Sequence, residues 1–270
     1  MSKASTCAAL ALALSAAGPA VAQTIWTPIE HQPSFRMEAL HPRFKLADGV
    51  DVSVLSGALF LTGALPIHDR WMFIAELPFA RSKVTVSGES SSKSAIGNPY
   101  LGVQFGRATA PTGIVAEFGV RPALIGDDDF EAAFVGITAD IDRFEAFSNK
   151  LTTVSAAGNL YTRAAQTTGR LRVGVSEQFY DKGESETMLD YGALGSFDVN
   201  RLRLGAALTG RYLLTESGSF SDRSMHHGAA SASVAFGQVR PGLLIRVPFD
   251  KEFRDNVPSI VGLTLDYTFR

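Results

Sequence analysis

Four side chains near residue 225 belong to the types that hydrolases use. Asp222, Ser224, His226 and His227 lie within six consecutive positions. A serine hydroxyl beside a histidine base is a nucleophile for acyl transfer, and an acidic side chain can orient that histidine. The two histidines could also hold a metal ion. Closeness in sequence does not establish the geometry that either chemistry needs. We therefore expect polar groups of a connection and a strand start, with no catalytic residue and no metal.

A second chemically suggestive run is the acidic triplet Asp127, Asp128 and Asp129. Carboxylate oxygens are the ligands that Ca²⁺ prefers. The triplet lacks the ligand spacing of a recognisable calcium loop, so it predicts a solvated acidic turn. With no other ligand pattern in the sequence, we expect no cofactor.

The N-terminus has the pattern of a secretory signal peptide. One cation at Lys3 precedes an apolar run, a Gly-Pro pair and small residues that end before Gln23. This order predicts a signal peptide over residues 1–22 and one exported domain over residues 23–270. Cys7, the single cysteine, falls inside the predicted leader. The exported domain is therefore expected to fold without a disulfide.

Charge and hydropathy exclude two classes of protein. Lys and Arg number 25 against 27 Asp and Glu, and no stretch concentrates the basic residues on a polar surface. Nucleic acid is therefore not an expected partner. After residue 22, no apolar run approaches the roughly 18 residues that a spanning helix needs. A membrane protein with this sequence would have to cross with strands.

The elements that must position any site are short strands. From residue 50 onward, segments of about ten residues alternate in polarity between turn signals, which is typical of membrane β-barrels. The predicted strands lie at 36–45, 50–64, 70–83, 97–107, 112–122, 150–163, 168–180, 187–199, 201–214, 225–237, 238–249 and 258–269. We predict an all-β fold: a transmembrane antiparallel up-and-down β-barrel of about 12 strands. A secreted soluble β-sandwich is the alternative.

The predicted connections alternate between tight and long. Tight turns are expected at 67–70, 108–112, 164–168, 200 and 237–238, and longer polar connections at 84–96, 123–149, 181–186, 216–225 and 250–258. Outer-membrane barrels have short periplasmic turns and longer external loops. The alternation therefore predicts that both termini and the tight turns face the periplasm.

The stretch RLRLGAALTGRYLL at 201–214 shows that the two faces of a strand differ in polarity. Leu204 and Leu208 share one face and Arg203 and Arg211 the other, because successive side chains point to opposite faces. Other strands sort their side chains in the same way, so we expect lipid on the apolar face and a polar lumen on the charged face. The candidate lumen-lining residues are Glu76, Glu117, Arg121, Arg170, Arg172, Asp190, Asp198, Arg203, Arg211, Arg240, Arg246 and Asp266.

Aromatic residues of the apolar face fall at two heights. Seven are near the tight turns or the C-terminus, namely Trp71, Phe73, Phe105, Phe197, Phe236, Tyr267 and Phe269. Four are near the longer connections, namely Phe79, Phe179, Tyr212 and Phe249. Two aromatic girdles around an apolar band are what two membrane interfaces select, so they favour the barrel over the sandwich.

The segment 130–147 departs from the strand pattern. Phe134, Ile137, Ile141 and Phe144 recur at three- and four-residue spacing, which predicts a short amphipathic helix in an external loop. One interpretation is a cap packed on the barrel rim, and the other is a lid or constriction over the pore. We expect the rim cap.

Two stretches carry a resemblance to a known family. GALFLTGALPIHDRWMFIAELPFA at 57–80 is followed by SAIGNPYLGVQFG at 94–106. Together the two stretches give a strand, a turn, a strand with Leu-Pro-Phe, a polar loop and then Gly-Asn-Pro. This order resembles the predicted outer-membrane transporters named for the meta pathway of phenol degradation. The terminal GLTLDYTF at 262–269 looks like the signal read by barrel-assembly machinery, although Arg270 follows it. The family name implies transport of hydrophobic or aromatic small molecules.

These features together predict a function without covalent chemistry. The leading hypothesis is an outer-membrane channel or transporter that passes small solutes through a polar lumen. A barrel hydrolase and a non-conducting structural or adhesion barrel are the alternatives. The expected partners are membrane lipid, the barrel-assembly machinery during insertion, and a small-molecule solute.

Overall fold

The computed structural model of the chain describes residues 29, 31–45, 50–53, 56–86, 88–107, 109–181 and 183–269. The predicted leader at 1–22 lies outside the described residues. The strands are β1 Ser34–Arg43, β2 Val50–Val52, β3 Gly57–His68, β4 Trp71–Val86, β5 Glu89–Ile96, β6 Tyr100–Gly106, β7 Thr112–Arg121, β8 Leu151–Arg163, β9 Thr167–Tyr180, β10 Ser185–Val199, β11 Leu202–Leu213, β12 Ser224–Val234, β13 Val239–Pro248 and β14 Ser259–Thr268. The α-helices are α1 Phe130–Ala139 and α2 Lys251–Asn256.

The strands form a closed antiparallel barrel. From β6 to β14 each strand pairs with the next along the chain, and β14 pairs with β1. The ring continues through β3 and β4 back to β6. β2 and β3 follow one another along one edge of β4, and β5 and β6 follow one another along its other edge. The described strands therefore occupy twelve positions around the barrel, as the sequence predicts.

The connections at the two barrel ends differ in length. One end carries the reversals from β3 to β4, β6 to β7, β8 to β9, β10 to β11 and β12 to β13. The last of these turns at Gly237, whose φ of 67° lies in the left-handed region that glycine enters without steric cost. The other end carries the connections from β1 to β2, β7 to β8, β9 to β10, β11 to β12 and β13 to β14. We refer to these as the short-turn end and the long-connection end.

The two faces of the wall differ as the alternation predicts. Leu204 and Leu208 are 47% and 52% exposed on the outside, whereas Arg203 and Arg211 are 1% and 2% exposed inside. Other exposed apolar side chains of the outer face are Leu65, Phe73, Leu77, Leu101, Phe118, Leu160, Leu171, Val173, Leu243, Ile245 and Leu263. A continuous apolar belt of this size is unfavourable in water and matches the hydrocarbon of a bilayer.

Some boundaries differ from the sequence-based expectation. Most of the predicted connection 84–96 is an extension of the barrel wall and not a loop, because β4 continues to Val86 and Val86 pairs with Glu89 at the start of β5. Gly88 has a φ of 91° there. From Glu89 to Ser94, β5 carries polar residues on both faces, so it lacks the alternation by which a half-buried strand is recognised. Within the described part of the chain, no helix is both long and apolar enough to cross a membrane.

Candidate functional site

The connection between β7 and β8 folds into the barrel lumen. It begins with a 3-10 turn at Asp127–Asp129, continues through α1, and ends in 3-10 turns at Ile141–Ala146. We call residues 140–147 the lumenal segment. The end of this segment packs tightly against the wall: Phe147 is fully buried, and its ring packs edge to face on Phe60 of β3 with 5.6 Å between the ring centroids. A Cβ on Gly136 of α1 would lie 2.4 Å from the Phe147 ring, so glycine permits this close approach.

On one side of the lumen, Arg143 ties the lumenal segment to the wall. Its Nη1 lies 2.7 Å from Oε2 of Glu76 on β4, and its Nη2 lies 2.6 Å from Oε2 of Glu38 on β1. Asp140 is a third carboxylate partner, at 2.6 Å. The guanidinium also lies 3.6 Å from the centroid of the Phe60 ring. Arg143 is therefore surrounded by negative charge and a π-face in a largely buried site.

On the other side, three strands hold the same segment. Glu145 pairs with Arg211 of β11. Asp142 lies 3.1 Å from Nε2 of His227 on β12, and accepts a hydrogen bond from Thr209 at 3.0 Å. Asp140 lies 2.7 Å from Nη1 of Arg246 on β13. The segment therefore spans the lumen and narrows it.

These contacts show that the rim-cap interpretation is wrong for residues 140–147. The α-helix ends at Ala139, and Phe134, predicted on its buried face, is 52% exposed. The charged residues that follow α1 have oppositely charged partners on the wall, and these contacts draw the chain inward. Helical periodicity of the apolar residues carries no information about those distant partners.

Two cavities adjoin this connection. An inner cavity of about 110 Å³ lies beside the lumenal segment and has walls of both signs of charge. Its lining includes Glu76, Glu117, Arg121, Arg143, Arg172, Asp190 and Arg211. A larger vestibule of about 700 Å³ lies at the long-connection end between α1, α2 and the 214–223 connection. Phe44, Phe134, Met225, Phe253 and Val257 give the vestibule an apolar lining, beside Asp222, Asp250, Lys251 and Glu252.

The structure places all twelve candidate lumen residues on the inner face of the wall. Buried ones are Glu76, Glu117, Arg121, Arg170, Arg203, Arg211, Arg240, Arg246 and Asp266, and half-buried ones are Arg172, Asp190 and Asp198. Many meet opposite charges: Arg203 with Asp198 at 2.6 Å, Arg211 with Asp190 at 2.6 Å, Arg121 with Glu76 at 2.7 Å and Arg172 with Glu117 at 3.2 Å.

Sequence reasoning missed the residues that form the constriction itself. They are Glu38, Asp140, Asp142, Arg143, Glu145 and His227. Glu38 follows Arg36 at a spacing of two in β1, so the alternation that identified the other strands could have identified it. For the lumenal segment, the only signal was four charged residues within six positions of a connection expected outside the barrel.

The hydrolase candidates do not assemble into a catalytic arrangement in the described chain. His226 Nε2 lies 2.7 Å from the Tyr191 hydroxyl oxygen, and His227 points into the lumen towards Asp142. The Asp222 carboxylate accepts a hydrogen bond from the Ser219 N–H at 3.2 Å, within the same connection. Among the described residues, no group of three or more His, Cys, Asp or Glu could hold a metal ion.

The acidic triplet lies at the exposed start of the connection. The Nζ of Lys150 lies 2.7 Å from Asp127, and Asn149 also donates a hydrogen bond to this carboxylate. These two contacts lower the pKa of Asp127. The carboxylate is thus engaged by the end of the same connection, as a solvated turn would be.

Solved structures of outer-membrane proteins share the architecture of this chain. An outer-membrane channel from Pseudomonas putida F1 superposes with a TM-score of 0.60 at 12% identity, over 93% of this chain and 100% of the channel. The chain has the fold of an outer-membrane β-barrel. The NanC porin superposes with a TM-score of 0.53 at 8% identity, over 88% of this chain and 99% of the porin. The translocator domain of the autotransporter NalP from Neisseria meningitidis superposes with a TM-score of 0.50 at 11% identity, over 99% of this chain and 95% of that domain.

Sequence comparison adds no family to this structural likeness. No family model matches the chain, and no curated protein matches it. At these low identities, the solved barrels establish the fold alone.

Proposed function

We propose that the chain is an outer-membrane channel through which small solutes pass, with the lumenal segment as its constriction. One observation carries the proposal: a charged segment spans a charged lumen, with an inner cavity beside it and an open vestibule next to α1. A barrel needing only to anchor or to adhere has no use for such a partly open interior. Rings of charged side chains at a narrow point are a common means of selecting solutes.

The solute class follows from the vestibule and from the resemblance to transporters named for the meta pathway of phenol degradation. The family name implies hydrophobic or aromatic solutes. Phe44, Phe134 and Phe253 provide apolar surface that such a solute can contact before it reaches the charged constriction. We propose a small solute with an apolar body and a polar group, since a fully apolar one would have to cross a ring of charges.

We further propose that the protein is exported by its leader, is inserted by the barrel-assembly machinery, and carries out no covalent chemistry. The apolar belt supports the membrane location. The bond from His226 to Tyr191 supports the absence of a Ser-His nucleophile, because that histidine nitrogen is already engaged. The small solute and the lipid are the partners that this function requires.

A closed structural barrel is the second candidate, and a specific observation favours it. Arg246, Glu38 and Asp140 are almost completely buried where the lumenal segment meets the wall. A network this dense could hold the lumen shut.

Liposome swelling distinguishes the two candidates. Vesicles containing the refolded protein are diluted into iso-osmotic solutions of a pentose and of a trisaccharide. The channel hypothesis predicts swelling with the pentose and little swelling with the trisaccharide. No swelling with either sugar supports the closed barrel. Block of the ion current by phenol, and weaker block in Phe134→Ser, tests the proposed solute class.

A further inference from the structure

The interruption between β5 and β6 lies directly against the lumenal segment. It falls at Gly97-Asn98-Pro99, where the Gly97 N–H still donates to the Pro78 carbonyl of β4 at 2.8 Å. A Cβ on Gly97 would lie 2.3 Å from the carbonyl oxygen of Ala146. The wall and the lumenal segment therefore approach to a distance that only glycine allows.

The Asn98 side chain uses its full hydrogen-bonding capacity on the connection between β7 and β8. Its Nδ2 donates to the carbonyl oxygens of Glu145 at 2.8 Å and Ser148 at 2.7 Å. Its Oδ1 accepts from the backbone N–H groups of Leu124 at 2.6 Å and Ile125 at 3.0 Å. A side-chain amide has two N–H donors and an oxygen that accepts two bonds, so this buried group is fully satisfied.

The backbone of Asn98 adds two further bonds. Its N–H donates to the carbonyl of Ala146 at 2.7 Å, and its carbonyl accepts from Arg121 Nη1 at 2.6 Å. Arg121 also donates to Glu76, one of the carboxylates that Arg143 contacts. One wall residue thus fixes the beginning of the connection, fixes the end of the lumenal segment, and is linked to the ion pairs between them.

We propose that Asn98 is the positioning residue that holds the lumenal segment across the lumen. The ion pairs of the segment are less directional, because Arg143 has three carboxylates within reach and Arg246 shares two of them. The four side-chain bonds of Asn98 are directional and specify one position for the backbone. The effect of this anchor on solute passage rests on the proposed channel function, whereas the anchoring itself does not.

The test combines hydrogen exchange with single-channel recording on Asn98→Ala and Asn98→Asp. Asp keeps oxygens for the N–H groups of Leu124 and Ile125, but places an oxygen against the carbonyls of Glu145 and Ser148. Both variants should accelerate amide exchange in residues 140–148 about tenfold or more, because each lost bond to a buried group is worth about a factor of ten. Exchange in the wall strands should be unchanged, and conductance should rise.

Asn149→Ala is the matched control, since Asn149 is exposed and bonds Asp127 at the far end of the same connection. It should leave exchange in 140–148 at the wild-type rate. Unchanged exchange there in both Asn98 variants overturns the proposal, and so does faster exchange throughout the wall. Faster exchange confined to 140–148 with unchanged conductance supports the anchor and contradicts the proposal that the lumenal segment is the constriction of the channel. Asn98→Ser replaces Asn98→Ala if the latter fails to insert, with the same expected result.

Discussion

Arg143 Nη1 lies 2.7 Å from Glu76 Oε2, and this ion pair joins the lumenal segment to β4. The same segment is held on β11 by Arg211, through Glu145. β4 and β11 are six positions apart whichever way one counts around the ring of twelve. The lumenal segment is therefore attached to diametrically opposite parts of the wall, which makes it a bridge across the lumen.

Loss of Arg143 should destabilise the folded barrel. In Arg143→Ala, Glu38, Glu76 and Asp140 keep only their wall arginines and repel one another in a buried site. Removing one partner of a buried ion-pair network costs roughly 3 kcal/mol, because the remaining charges stay desolvated. Urea unfolding in lipid vesicles measures the loss.

The control for this variant is Lys150→Ala, which removes an exposed pair with Asp127 at the start of the same connection. Its unfolding midpoint should stay near that of the wild type, because solvent screens exposed pairs. Equal effects of the two replacements would contradict a buried network around Arg143.

Arg203 and Arg211 should behave differently although the sequence presents them as equivalent. Arg203 pairs with Asp198, whereas Arg211 also holds Glu145 of the lumenal segment. Both serine replacements should shift ion preference towards cations by removing positive charge from the wall. Only Arg211→Ser should also raise single-channel conductance. Reversal potentials in a salt gradient, recorded with the conductance, separate the two effects, and identical conductance in both variants would rule out the distinction.

The outer face should reject charge near its middle. Leu208→Arg places a guanidinium in the apolar belt, at a cost on the order of 2 to 4 kcal/mol near the bilayer midplane. Leu204→Arg should cost less than Leu208→Arg, because Leu204 pairs with Phe197 nearer the short-turn end. Val199→Arg, at the end of β10 beside the short turn, is the matched control and should cost no more than about 1 kcal/mol. Folding yields in vesicles measure the difference, and equal yields for the three variants would place this strand away from lipid.

The long-connection end should face the cell exterior. Ser91 and Ser219 are exposed at that end, and Thr167 is exposed at the other. Cysteines placed at Ser91 and Ser219 should react with an impermeant maleimide on intact cells, while one at Thr167 should not. The predicted mature chain has no other cysteine, so the labelling is unambiguous. The reverse pattern would invert the orientation.

The wall could be predicted from the sequence because its cause is local. Apolar and polar side chains must alternate along a strand that lies between lipid and a polar lumen. The faces of Leu204 and Arg203 can therefore be assigned without reference to any other strand. The alternation of short and long connections is equally visible. Where both faces meet water, as in β5, this signal disappears and the strand is missed.

The constriction could not be predicted because its causes are distant. Glu145 pairs with Arg211, 66 positions away, and Arg143 pairs with Glu38, 105 positions away. Neither partner is indicated by the spacing of apolar residues in 130–147. Asn98 was visible in Gly-Asn-Pro, but within the predicted strand 97–107, since only the folded ring brings it against Glu145 and Ser148.

The central claim is that the barrel conducts and that the lumenal segment limits the current. Single-channel recording of the whole chain and of a variant with 127–149 replaced by a short Gly-Ser linker tests it most directly. The linker can close this gap, because the Lys150 N–H already donates to the Ile125 carbonyl at 3.4 Å. We predict a measurable conductance for the whole chain and a clearly larger one for the variant. Equal conductance in two folded proteins, or none in either, would contradict the account.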